Sequence, residues 1–156
     1  MQKITTHLWF DDQALEAAEF YTSVFKNSKV LEVSHYGEGA PRPAGTVLTV
    51  TFELDGQRFI ALNGGPEFTF TEAISLYVDC ADQAEVDYYW DKLVDGGEPS
   101  MCGWLKDRYG LSWQIIPREL PKLLSDPDSA KAQRAMQAMF TMNKIDLGEI
   151  QRAHRG

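Results

Sequence analysis

Cysteine is scarce in this sequence, with only Cys80 and Cys102 present among 156 residues. The two do not form a CxxC pair, so neither a disulfide framework nor a thiolate metal site is indicated. Strand-like alternation follows the first residues at once, and we identify no secretory leader. Free thiols are typical of a reducing compartment, so we expect a cytoplasmic protein.

The sequence also has few positively charged residues relative to acidic ones, and it has no long apolar run. Lys and Arg number 15 against 23 Asp and Glu, which gives a formal net charge of −8. An acidic chain without a basic cluster repels a phosphate backbone, so no nucleic-acid partner is expected. No apolar run approaches the roughly 20 residues that cross a bilayer, and no membrane association is expected.

The first part of the chain alternates strand-like and helical patterns. An apolar stripe of helical period runs from Leu15 to Phe25, and Asp11 or Asp12 is the predicted N-cap of that helix. Asp55-Gly56 separates two β-rich runs and is typical of a type I′ hairpin turn. The predicted strands span residues 4–10, 29–36, 46–54 and 57–63.

The same order of elements returns in the second part. Asp82 and Glu85 form a capping box before another amphipathic helix. Asp107 and Gly110 bound a tight turn, and Pro117 ends the strand that follows. Leu8, Asp11 and Tyr21 recur at one constant offset as Leu76, Asp79 and Tyr89. The sequence therefore predicts two βαβββ modules, at about residues 1–66 and 72–117.

After Pro117 the pattern becomes helical. Asp126 and Pro127 predict an N-cap followed by a proline at the first helical position, and Asp146 with Glu149 repeats a capping box. One helix face is expected to hold Ala132, Ala135, Met136, Met139 and Phe140. We thus predict an α+β fold in one domain, residues 1–156. Its two modules should pair, because each alone is too small to bury its sheet face, and a helical tail at residues 118–156 packs on the sheet module or on a second subunit.

Strand alternation divides the sheet side chains into two faces. A uniformly apolar face is expected under the helices: Leu8, Phe10, Ile60, Leu62, Ile74, Leu76, Val78, Trp113 and Ile115. The other face mixes aromatic and polar groups, as ligand cavities do: Thr5, His7, Trp9, Ala61, Asn63, Ser75, Tyr77, Ser112 and Gln114. The alternative is a solvated sheet face with a few exposed aromatic rings.

Several motifs carry a family resemblance. They are Leu8-Trp9-Phe10-Asp11, Ala18-Glu19-Phe20-Tyr21, Asn63-Gly64-Gly65-Pro66-Glu67-Phe68, Cys102-Gly103-Trp104-Leu105, Trp113-Gln114-Ile115-Ile116-Pro117 and Lys144-Ile145-Asp146-Leu147. The chain resembles the vicinal oxygen chelate (VOC) superfamily, which includes glyoxalase I, bleomycin-resistance proteins and extradiol dioxygenases. The resemblance is closest to its PhnB-like branch, also called the 3-demethylubiquinone-9 3-methyltransferase domain family. It implies paired modules that form a curled mixed sheet around a cavity, and a homodimer, often with exchanged elements. No Gly-rich turn for S-adenosylmethionine is present, so we expect no cofactor and take the methyltransferase label as a name only.

The resemblance also raises the question of a metal. Metal-dependent members of the superfamily hold a divalent ion with His and Glu side chains from four strands. His7 stands in the first of these positions, and Ala61, Ala73 and Gln114 stand in the others. Alanine cannot coordinate and an amide oxygen is a weak ligand, so no metal is expected. A register shift by two residues would substitute Asn63 or Ser75.

Two residues are candidates for catalysis. His7 is interpreted as a cavity-wall histidine, with a general-base role or metal ligation as alternatives. Cys102 could act as a nucleophile if a nearby cation or His7 lowered its pKa, or it is a small buried residue beside Gly103. The charged turn Lys106-Asp107-Arg108 is expected to be solvated. His154 has no evident acidic partner.

By analogy with the bleomycin-resistance proteins, the resemblance favours a protein that binds a small organic molecule without a metal and without transforming it. The predicted ligand cavity comprises His7, Trp9, Asn63, Ser75, Tyr77, Trp104 and Gln114. One alternative is an enzyme, a glyoxalase-like isomerase or lyase or a dioxygenase-like protein, that uses His7, Cys102 or an atypical metal site. Another is a structural or regulatory protein with an empty cavity.

Overall fold

The first unit of the chain, Met1–Phe70, folds as a βαβββ module. The structure, a computed structural model, describes residues 2–156. The elements of this unit are β1 (Thr6–Phe10), α1 (Ala14–Val24), β2 (Lys29–His35), β3 (Val47–Leu54) and β4 (Gln57–Asn63). They form a sheet of order β1-β4-β3-β2, in which β1 is parallel to β4 and the other pairs are antiparallel.

Local signals explain much of this unit. Asp55 and Gly56 take φ values of 49° and 81°, so the β3–β4 connection is the predicted type I′ turn. The centre of the α1 stripe is buried, and the Tyr21 ring lies 6.2 Å from the Phe52 ring. Phe52 in turn stacks on Phe59, its cross-strand partner, at 5.5 Å. The core of the first unit therefore lies between α1 and one face of its sheet.

The second unit, Thr71–Gly156, repeats this topology and adds the tail. Its module consists of β5 (Ser75–Cys80), α2 (Gln83–Val94), β6 (Glu98–Pro99), β7 (Trp104–Lys106) and β8 (Ser112–Pro117). The sheet order is β5-β8-β7-β6, which matches the first sheet strand for strand. The predicted duplication and the α+β fold class are thereby confirmed, and each module has its own four-stranded mixed sheet.

The tail belongs to the second unit and forms α3 (Glu119–Leu124), α4 (Ser129–Met139) and α5 (Leu147–Arg155). Its helices enclose a small core with one strand residue. That core contains Ile116, Leu120, Ala135, Ile145 and Ile150. The predicted apolar stripe of α4 is only partly buried, because Met136 and Phe140 remain 40% and 54% exposed.

Polar contacts fasten the tail to the module. The N–H groups of Cys102 and Gly103 donate to the Met142 and Asn143 carbonyls, each at 2.8 Å. The Gln83 side chain donates to the Ile145 carbonyl at 2.9 Å and accepts from the Leu147 N–H at 2.8 Å. One amide thus satisfies a donor and an acceptor of the segment that precedes α5.

Two predicted helix caps were wrong. Gln13 is the N-cap of α1 and provides no side-chain bond; the Ala14 N–H instead donates to Asn63 Oδ1 at 2.8 Å. Asp128, rather than Asp126, caps α4 by accepting from the first helical N–H groups. Asp126 lies 2.8 Å from His154 Nε2, so His154 does have an acidic partner. The caps at Asp82 and Asp146 are confirmed.

Strand alternation assigned the side chains to the correct faces in only one of the two sheets. In the second, Leu76 pairs with Trp113 and Tyr77 with Gln114, as the alternation predicts. In the first, His7 pairs with Ile60 and Trp9 with Leu62, so these four side chains share a face. Ala61 and Asn63, both predicted on the cavity face with His7, are instead buried on the opposite face beside Leu8 and Phe10. Ile74, predicted under a helix, is 66% exposed.

No helix in the described part of the chain has the length and apolar character needed to span a membrane.

Candidate ligand-binding site

Two cross-strand rows of side chains cover one face of the second sheet. The first row runs Ser75, Ser112, Lys106 and Glu98, each opposite the next. The second row runs Tyr77, Gln114 and Trp104. Because residues i and i+2 of a strand share a face, the rows are adjacent and lie opposite the buried Leu105 and Trp113. Four predicted cavity residues therefore lie together in one unit: Ser75, Tyr77, Trp104 and Gln114.

A cavity of about 270 Å³ opens beside these rows. Its wall includes Glu72, Glu98, Ser100, Trp104, Lys106 and Ser112. Within residues 2–156, the Ser112 hydroxyl is buried and has no hydrogen-bond partner. The neighbouring Gln114 amide donates instead to Ser75 Oγ at 2.9 Å. Ser112, a residue of the cavity wall, thus has a buried hydroxyl whose hydrogen-bonding capacity is unused.

Charged groups form the rim of this cavity. Lys106 pairs with Glu72, and their hydrogen bond lowers the pKa of the Glu72 carboxyl and raises that of the Lys106 ammonium. Glu98, opposite Lys106 in the β6–β7 register, also raises the Lys106 pKa. Both partners are solvated, so the pair contributes little to stability. Partial burial and Asp79 raise the pKa of Tyr77, which therefore remains a neutral phenol at neutral pH.

The other predicted cavity residues belong to the first unit, where His7 and Trp9 share one sheet face and Asn63 lies on the other. His7 is exposed on the sheet face that it shares with Ile60. Trp9 donates from Nε1 to the Gly65 carbonyl at 2.9 Å and meets the Phe68 ring edge-on at 4.9 Å. Asn63 is a buried structural residue that accepts from the α1 N-terminus and donates to a strand carbonyl.

The Asn63-Gly64-Gly65 segment has consecutive backbone N–H groups of the kind that can bind an anion. The Gly64 and Gly65 N–H groups donate to the Phe10 and Asp11 carbonyls at 2.9 and 3.2 Å. The Trp9 ring fills the space where a Gly64 Cβ would lie, at 2.4 Å. These N–H groups are therefore used within the fold rather than directed at a ligand.

The residues do not fit the metal site that the family resemblance implies. On the face that carries His7, β4 presents Ile60 and Leu62, and neither side chain has a ligand atom. Ala61, assigned to the second position, points to the opposite face. Among residues 2–156, no three His, Cys, Asp or Glu side chains are grouped so that they could hold a metal ion.

Both cysteines have structural surroundings. Cys102 takes a φ of 60° in the turn that binds the tail, and it is half-buried. The next residue, Gly103, has to be a glycine, because a Cβ there would lie only 3.0 Å from the Ile115 carbonyl oxygen. Cys80 is fully buried, and burial, with neighbouring carboxylates, raises the pKa of its thiol to about 12. Its sulfur is therefore a poor nucleophile.

Sequence reasoning missed Asp107, which is only 2% exposed rather than part of a solvated turn. Its Oδ1 accepts from the Tyr109 and Leu111 N–H groups at 2.8 and 3.1 Å, and its Oδ2 accepts from Trp113 Nε1 at 2.9 Å. The signal was present, because an Asp that opens a turn commonly accepts bonds from the N–H groups after it. This carboxylate fixes the turn that joins β7 to β8.

Comparison with known proteins locates this architecture in a family. The model of the 3-demethylubiquinone-9 3-methyltransferase family matches residues 2–116, and so stops before the helical tail and its Lys144–Leu147 motif. The PhnB protein of Bacillus cereus is 42% identical, over 74% of this chain and 99% of its own, with a TM-score of 0.69. No curated protein matches significantly in sequence.

More distant structures share the fold alone. A Pseudomonas aeruginosa protein is 18% identical over 75% of this chain and 98% of its own, with a TM-score of 0.62. The Listeria monocytogenes fosfomycin resistance protein FosX, in complex with Mn(II) and sulfate, is 14% identical over 72% of this chain and 88% of its own, with a TM-score of 0.50. With the family match and the duplicated βαβββ topology, this chain belongs to the PhnB-like, 3-demethylubiquinone-9 3-methyltransferase-type family.

Proposed function

We propose that the protein binds a small organic molecule on the second sheet, in the cavity beside Ser112, without a metal and without transforming it. The cavity offers an aromatic wall in Trp104, a polar rim in Lys106 and Glu98, and an unused hydroxyl in Ser112. Ligand sites commonly combine apolar walls with a few polar groups that fix orientation. The Gln114–Ser75 pair continues the polar surface along the adjacent strands.

The observation that carries this proposal is the state of Ser112. A buried polar group without a partner costs the folded protein about 1–3 kcal/mol. Alanine at position 112 would avoid that cost, so the presence of a serine there needs an explanation other than stability. A ligand that hydrogen-bonds to the Ser112 hydroxyl would supply the missing partner and offset the cost on binding.

We expect Ser112→Ala to raise the free energy of unfolding by about 1 kcal/mol, because the variant removes the unsatisfied hydroxyl. Thermal and urea unfolding measure this change. Ser100→Ala is the matched control, since Ser100 lies in the same cavity wall but is exposed, and it should leave stability unchanged. Equal or lower stability of Ser112→Ala would mean that the hydroxyl is already satisfied, which contradicts the proposal.

Binding can be observed directly with benzyl alcohol, a neutral ring compound that fits a cavity of about 270 Å³. Titration followed by amide NMR should move the signals of β7 and β8 in the wild-type protein. Ser112→Ala and Trp104→Leu should each weaken these shifts, because the first removes a hydrogen-bond partner and the second an aromatic wall. Shifts spread evenly over both units would contradict a site on the second sheet.

We further propose a cytoplasmic homodimer. Two free cysteines fit a reducing compartment. Support for self-association comes from apolar side chains of the second unit that remain exposed, including Tyr77 at 54% and Phe140 at 54%. Sedimentation equilibrium should give twice the monomer mass of 17.6 kDa. A monomer at all micromolar concentrations would refute this part of the proposal.

A further inference from the structure

We infer that the cavity beside Ser112 selects a cationic ligand, a small molecule with a protonated amine next to an aromatic or apolar ring. This inference rests on the proposed function and specifies the chemical class of the ligand. Its evidence is the arrangement of charge around a hydroxyl that has no partner.

The charges of the cavity wall do not balance. Two carboxylates, Glu72 and Glu98, face one ammonium, Lys106. Lys106 forms its ion pair with Glu72, and within residues 2–156 the structure gives Glu98 no ion-pair partner. Glu98 lies opposite Lys106 in the β6–β7 register, at the edge of the first row. The cavity therefore has one carboxylate in excess, in a chain whose formal net charge is already −8.

The uncharged groups of the cavity suit an amine. Ser112 Oγ has lone pairs that can accept a hydrogen bond from an ammonium N–H. Trp104 presents an aromatic ring from the adjacent row, and indole rings attract cations as well as apolar groups. An organic anion would instead have to displace Glu72 from Lys106 while lying near Glu98. The attraction of a cation and the repulsion of an anion thus both favour a positively charged ligand.

Three probes with the same ring test the inference: benzylammonium, benzyl alcohol and benzoate. Titrations at pH 7 and low salt, followed by amide NMR of β7 and β8, give the three affinities. We expect benzylammonium to bind about fivefold more tightly than benzyl alcohol, and benzoate to bind most weakly. Added salt at about 0.5 M should remove most of the difference, because it screens the rim charges.

Two charge variants locate the effect. Glu98→Gln should remove the advantage of benzylammonium over benzyl alcohol when both are titrated into the same variant. Glu67→Gln, an exposed position in the first unit, makes the same change in net charge and should leave all three affinities unchanged. If Glu98→Gln has no greater effect than Glu67→Gln, the preference reflects net charge alone and the inference is overturned.

The remaining outcomes separate this inference from the function on which it rests. Binding of benzyl alcohol at β7 and β8 with no advantage for benzylammonium would overturn the cationic preference and leave the proposed binding function intact. Binding of none of the three probes at these strands would overturn both.

Discussion

Asp107→Ala is expected to lower the free energy of unfolding by about 4 kcal/mol. The substitution removes three accepted hydrogen bonds and leaves the N–H groups of Tyr109, Leu111 and the Trp113 indole without their partner. Each buried donor that loses its partner costs about 1–3 kcal/mol, and partial entry of water reduces the sum. Urea unfolding followed by circular dichroism should show the midpoint lowered by about 2 M.

Two further variants define the cause of this loss. Asp107→Asn retains an oxygen for the two backbone donors and loses only the acceptor of the indole, so its loss should be intermediate. Asp95→Ala removes a carboxylate whose side chain is 80% exposed in its ion pair with Arg108, and it should cost less than about 0.5 kcal/mol. Similar losses in Asp107→Ala and Asp95→Ala would show that the buried hydrogen bonds are not the source of stability.

Gly97→Ala is expected to cost about 3 kcal/mol, the second large effect. A Cβ at this position would lie 2.0 Å from the Lys106 carbonyl oxygen and within 2.9 Å of the Asp107 backbone. These contacts are with backbone atoms that cannot rotate away, so the hairpin held by Asp107 would have to shift. Thermal unfolding of the variant measures the loss.

Gly37→Ala is the matched control for this substitution. Nothing lies within 4 Å of a Cβ built at Gly37, so alanine there should be tolerated. Amide NMR adds a local test, because Gly97→Ala should move the signals around residues 104–107 and Gly37→Ala should not. A Gly97→Ala protein as stable as the wild type would mean that β6 can move away from β7 without cost.

Local patterns predicted the elements of this fold well. The Asp55-Gly56 turn and the Asp82 cap depend on residues that are close in sequence, and both were predicted. The α1 cap depends on Asn63, which is 49 positions from the N–H that it accepts. No short stretch of sequence contains both partners, so the local capping rule predicted Asp11 or Asp12 instead.

Strand alternation predicted the two faces of the second sheet and not those of the first. In the second sheet, apolar side chains occupy one face and polar or aromatic ones the other, so alternation alone identified the Tyr77–Gln114 row. In β4, apolar side chains occupy both faces, and only its pairing with β1 shows that Ile60 rather than Ala61 lies beside His7. The state of Ser112 could not be predicted either, because it depends on which hydroxyl the Gln114 amide selects.

The contacts that the tail makes with the Gln83 amide and with Ile116 limit where the chain can be truncated. The family model stops at residue 116, yet the Ile116 side chain lies in one core with Leu120 and Ile145. A chain cut at that boundary would expose Ile116 to water and remove both tail partners of the Gln83 amide, which would keep only its bond to Asp87 Oδ1. The region that the family model matches therefore ends before the unit that folds cooperatively does. The smallest second unit that can fold alone includes α3, α4 and α5.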